Sequence, residues 1–152
     1  KVSQNLKLMD ERIFKEPMMG LKEDMLPLSL EERLTYDPEQ DIFFVNFEGF
    51  SIKTHQDVRE VENMCTKILA PLGKRVHTIV NYDNFYINPD IIEEYTDMVK
   101  RLVDRFYSGV TRYTTSTFLR TKLGEALKKR DEAPHIYESK EDAHKALQRM
   151  NK

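Results

Sequence analysis

Side chains able to do chemistry gather in three turns, each placed after a β-rich run and before a helical one. The first turn holds Asn81, Tyr82, Asp83 and Asn84, the second Tyr113, Thr114, Thr115 and Ser116, and the third Glu138 and Ser139. Amides, hydroxyls and a carboxylate at helix N-termini can hold a phosphate or carboxylate ligand, because the first turn of a helix presents N–H groups with no intrahelical acceptor. The same residue types are also the commonest helix caps, so capping and ligand binding are both open for these turns. The first two sets define the candidate binding crevice.

Other chemistry finds little support in the residues. His55, His77, His135 and His144 show no close ligand spacing, and a single cysteine offers no thiolate pair, so no metal site is expected. Five glycines form neither a phosphate loop nor a dinucleotide fingerprint, and no serine sits in a nucleophile elbow. Glu31-Glu32 and Glu93-Glu94 follow helix-start logic rather than a paired-carboxylate site. Cys65 lies with Val61, Met64 and Ile68 on one helical face and reads as a buried small hydrophobe. Lys128, Lys129 and Arg130 fall where cations favour a helix C-terminus. No residue is assigned a catalytic role.

The elements that must position the crevice are organised around Val76 to Phe106. Val76, Thr78 and Val80 alternate with His77, Ile79 and Asn81 in a mostly β-branched run, which suits a central strand covered on both faces. Asn88 before Pro89 opens a helix whose stripe runs from Ile91 and Ile92 through Tyr95, Met98, Val99, Leu102 and Val103 to Phe106. Before this unit, Arg33–Tyr36 and Ile42–Phe47 make a hairpin across Asp37-Pro38-Glu39-Gln40-Asp41. Phe43, Val45 and Phe47 share one face of the second strand, and Ile42, Phe44 and Asn46 the other. Thr54 with Asp57 caps a helix carrying Val58, Val61, Met64, Cys65, Ile68 and Leu69. After the central unit come a β-run from Gly109 to Thr115, a helix behind Ser116 or Thr117, a short strand from His135 to Glu138, and a helix opened by Ser139. The expectation is an α/β fold: a mostly parallel mixed sheet of about five strands with an N-terminal β-hairpin and four helices.

Composition bounds the classes. The chain has 152 residues, a net charge of −2, 39% hydrophobic and 33% charged residues, which suits one domain and no nucleic-acid partner. No apolar run approaches the roughly 20 residues that span a bilayer, and no secretory signal is evident, so a cytoplasmic protein with no membrane partner is expected. Residues 1–32 differ from the rest: Leu6, Leu8, Met9, Ile13, Phe14, Met18 and Met19 follow no single period, and Pro17, Gly20 and Pro27 interrupt them. They read as an irregular apolar tail that packs on the 33–152 domain or belongs to a preceding one.

Two resemblances bear on these elements. From Arg33 to Met150 their order resembles the STAS fold of anti-sigma-factor antagonists, although the turn after the central strand reads Asn81-Tyr82-Asp83-Asn84-Phe85, without the phosphorylatable serine of the phosphoswitch members. More specifically, the chain is similar to the C-terminal extension of bacterial CoA-transferases of the acyl-CoA:acetate/3-ketoacid type. The likeness lies in Leu8–Phe14, Pro17–Leu21, Val80-Asn81-Tyr82-Asp83, the run from Val110 through Ser116 to Leu127, and Ala133–Glu138. It implies that 1–32 ends a preceding catalytic part and that 33–152 is a non-catalytic assembly or regulatory domain, with that catalytic part as partner and a homo-oligomer possible. It also implies that a coenzyme A thioester is the parent's substrate and that no cofactor belongs to this part. The family's catalytic glutamate lies upstream in a glycine-rich context that Glu48-Gly49 lacks, so Glu48 receives no nucleophilic role.

Overall fold

The computed structural model describes residues 28–132 and 135–150. The first element is a single helical turn, α1 (Leu30–Arg33), held by a full capping box in which Ser29 and Glu32 bond each other's backbone. The hairpin follows as β1 (Leu34–Asp37) and β2 (Ile42–Asn46), antiparallel, with Asp41 N donating to Asp37 O at 2.8 Å across the turn. Arg33, read above as a strand residue, is instead the last helical one. It is buried, with Nη1 donating to Asn46 O at 3.1 Å and Glu48 O at 2.7 Å, and so closes the end of β2.

The rest is the alternation that the hydrophobic periods predict. After β3 (Ser51–Ile52), helix α2 (His55–Leu69) starts at the Thr54–Asp57 capping box and ends in a 3₁₀ turn at Ala70–Leu72. Strand β4 (Val76–Asn81) leads through β5 (Tyr86–Ile87) and a 3₁₀ turn at Pro89–Ile91 into α3 (Ile92–Phe106). Strand β6 (Tyr107–Tyr113), α4 (Thr117–Lys128) and α5 (Lys140–Met150) complete the chain. The main sheet has the order β1-β2-β4-β6, with β2, β4 and β6 parallel, so the fold is α/β with a mostly parallel mixed sheet. Where a fifth strand is expected at His135–Glu138, only one bridge forms, Tyr137 to Tyr113. The two-residue strands β3 and β5 pair with each other in a separate small sheet.

The sheet divides two cores. Phe43, Val45, Phe47, Val76 and Val80 face α2, α3 and α4, whose Val58, Val61, Met98, Leu102, Leu123 and Leu127 close over them. Each such side chain contributes about 1.5–3 kcal/mol by leaving water. Ile42, Ile79 and Tyr113 face the other way, against Ala143 and Leu147 of α5. Strand β6 starts two residues earlier than its β-rich run, and its register slips once: Val76 pairs with Tyr107 but His77 pairs with Gly109, leaving Ser108 as a bulge. Among the described residues no helix is long and apolar enough to cross a membrane.

Gly109 owes its place to His77. A Cβ built on it would lie 3.0 Å from His77 Nδ1, while His77 Nε2 is held at 2.8 Å from Thr111 Oγ1. The ring cannot yield without breaking that bond. Gly109→Ala therefore costs about 1–2 kcal/mol in urea unfolding, and in a His77→Ala background the same change is neutral or stabilising. Equal costs in both backgrounds would show that the ring is not the obstacle.

Candidate functional site

The candidate crevice lies beyond the C-terminal ends of β2, β4 and β6, the usual ligand position for a parallel sheet. Its residues are brought together, and they satisfy one another. Asn81 Oδ1 accepts from Asp83 N at 2.9 Å, and Asp83 Oδ1 accepts from Thr115 N at 2.7 Å, which ties the β4 turn to the β6 turn. Gly49 N donates to Asp83 O at 3.1 Å and Phe47 N to Asn81 O at 2.9 Å, which ties in the segment after β2. Thr114, fully buried, donates from Oγ1 to Tyr82 O at 3.2 Å. Ser116 caps α4 by accepting from Leu119 N at 3.1 Å. Asn84 takes the left-handed backbone that its turn requires, at φ 54°. Thr115 stays exposed.

The two tyrosines of this set do not face solvent. Tyr113 is buried under α5, its phenol pKa raised first by burial and then by the nearby Asp83 carboxylate. Tyr82 turns into the main core, 2% exposed, and its hydroxyl meets that of Tyr95 at 2.7 Å. Phe47, Phe50 and Phe85 pack around it, with ring centroids 5.0–6.2 Å apart along the cluster. Beside them lies Arg112, 1% exposed and lining the same interior as Tyr82, Tyr95 and Tyr107. Burial pushes the Tyr82 phenol up, and the Arg112 charge pulls it partly back. The signal for this cluster is an arginine on the core-facing side of an alternating strand, and it is visible in Val110-Thr111-Arg112.

Reactive groups elsewhere are masked by their surroundings. Burial pushes the Cys65 thiol up to about 12, outweighing a hydrogen bond with Tyr107. His77 is half-buried, and burial lowers its pKa. His55 pairs with Glu94 on the surface between α2 and α3. Arg130, assigned above to the helix terminus, does more: it bonds Ala126 O and also pins α4 to α3 through Asp97 at 2.6 Å and Glu93 at 2.8 Å. Among the described residues no group of three His, Cys, Asp or Glu is placed to hold a metal ion.

A different feature opens beside the crevice. A groove of about 470 Å³ runs between β5 with its 3₁₀ turn and α4, walled by Phe85, Ile87, Pro89, Ile92, Leu119 and Ala126. Phe118 and Tyr86 stand on its rim at 70% and 50% exposure, with Ser116 at one end. Lys122, Glu125, Lys129 and Glu93 add mixed charge around it. Comparison with protein-family models, with curated proteins and with solved structures found no match to this chain.

Two outcomes check this geometry. A thiol reagent at pH 8 labels Cys65 in the folded chain roughly a hundredfold or more slower than in urea; similar rates would mean that the thiol is accessible. Asp83→Ala frees the Thr115 N–H and costs about 1 kcal/mol, measured by thermal or urea unfolding, whereas an unchanged midpoint would mean that the turns are not coupled through that carboxylate.

Proposed function

We propose that this chain is a non-catalytic accessory domain, for assembly or regulation, of a cytoplasmic CoA-transferase of the acyl-CoA:acetate/3-ketoacid type. Its polar turns are spent on internal bonds, its one cysteine is buried, and the hydroxyl of its His77–Thr111 pair belongs to a residue only 2% exposed. The observation that carries the reading is the apolar groove with Phe118 and Tyr86 exposed on its rim. Exposed aromatics around an apolar depression suit a protein surface better than a small polar substrate, since such side chains anchor interfaces. The partner is the catalytic part of the transferase, and a second copy of this domain is compatible with the same face. The coenzyme A thioester belongs to that catalytic part, and no cofactor is assigned to this domain. The resemblance of Val80–Asp83 and of Val110 through Leu127 to the family's C-terminal extension supports the same reading.

A second reading is a STAS-like binding module that takes a nucleotide, lipid or protein partner near Asn81 and Ser116. Ser116 favours it, because it lies at the N-terminus of α4 on the wall of the groove.

The 152-residue chain is expected to catalyse no CoA transfer between an acyl-CoA and acetate, and measurable turnover overturns the accessory role. Titration calorimetry with nucleotides and acyl-CoA separates the second reading, which requires saturable heat that Ser116→Ala or Asp83→Ala weakens.

A further inference from the structure

On the side of α4 away from the aromatic groove, a second cleft of about 470 Å³ opens between α4 and α5, floored by residues 135–138. One face of each helix builds it. Thr117, Arg120 and Thr121 recur at i, i+3 and i+4 on α4, and Asp142, Lys145 and Arg149 at i, i+3 and i+7 on α5. Arg120 is held in place, with Nη1 donating to Thr114 O at 2.7 Å and Nη2 to Thr117 Oγ1 at 3.1 Å.

Lys145 and Arg149 are exposed and make no ion pair among the described residues, although Glu138 and Asp142 line the same cleft. Some cations elsewhere in the domain are paired: Lys74 with Asp41 at 2.9 Å, Arg101 with Glu62 at 2.7 Å, Arg130 with Asp97 at 2.6 Å. Three cationic and two acidic side chains thus make a net positive cleft in a chain whose net charge is −2. The charges are also sorted along α5. Asp142 sits in its first turn and Arg149 in its last, about 10 Å apart at 1.5 Å per residue. The floor is aromatic, with the His135 and Tyr137 rings edge to face at 4.4 Å.

We propose that this cleft binds the phosphate monoester of a hydroxylated small molecule, a sugar phosphate or a mononucleotide. The phosphate sits between Lys145 and Arg149 and the hydroxyls of Thr117 and Thr121, where charge-assisted bonds to its oxygens form. The ligand's own hydroxyls donate to Glu138 and Asp142 at the other end. The cleft shares no residue with the aromatic groove, so this assignment does not depend on the accessory role.

Titration calorimetry of the 152-residue chain with ribose 5-phosphate, adenosine monophosphate and inorganic phosphate tests the proposal. At least one of the two esters is expected to bind saturably, and Lys145→Ala with Arg149→Ala weakens it about tenfold or more. Asp142→Asn weakens the ester and leaves inorganic phosphate unchanged. Lys122→Ala, which removes a cation from the groove side of α4, changes neither. Both altered cations are exposed, so the double variant keeps the parent melting temperature. Tighter binding of the nucleotide than of ribose 5-phosphate places a base on the His135–Tyr137 floor, and equal binding identifies a sugar phosphate. Absence of saturable heat with both esters, undiminished binding in the double variant, or inorganic phosphate binding as tightly as the esters overturns the proposal.

Discussion

An arginine sealed inside an apolar layer must be solvated by the protein itself, because a buried guanidinium without hydrogen-bond acceptors costs several kcal/mol. Here Arg112 of β6 lies between the sheet and α3, in an interior lined by Tyr82, Tyr95 and Tyr107. Tyr82 reaches that interior from the turn after β4, and Tyr95 from α3 completes the hydroxyl pair. Once Tyr82 points inward, the backbone of its turn is drawn against β6, with Tyr82 N donating to Tyr113 O at 2.9 Å. The position where a parallel sheet usually receives a ligand is thereby filled by the chain's own polar groups. The same inward turn brings Phe85 against Phe47 and leaves Tyr86 facing out, which shapes one wall of the aromatic groove.

The parts of the fold legible in the sequence are those dictated locally. The Thr54–Asp57 box, Ser116 before α4 and the apolar stripe of α3 each rest on contacts within a few residues, so their signals survive in the chain alone. The strand faces of β2 were equally readable, since Phe43 and Val45 do lie opposite Ile42. Two residues are too few to show a period, and for that reason β3 and β5 escape notice. The run at His135–Glu138 has strand composition, but it meets the sheet only at Tyr137, so composition overstates its pairing. Most of the irregular tail expected at 1–32, residues 1–27, lies outside the described residues.

The site divides along the same line. Asn81, Asp83, Thr114, Thr115 and Ser116 do meet at the sheet's end, as their turns require. Whether a tyrosine in such a turn faces solvent or core depends on what waits inside, and Arg112 is thirty residues further along the chain. The basic cleft is harder still to read. Its cations come from two helices separated by residues 129–139, and no single stretch carries the combination.

The bulge at Ser108 has a consequence for all of this. Tyr107 and Arg112 are five positions apart, an odd number, and on a regular strand they would project to opposite sides. The one unpaired residue changes that parity and delivers both to the side of α2 and α3, where each reaches the tyrosine-lined interior. The same seven residues paired without that bulge would have to expel one of the two.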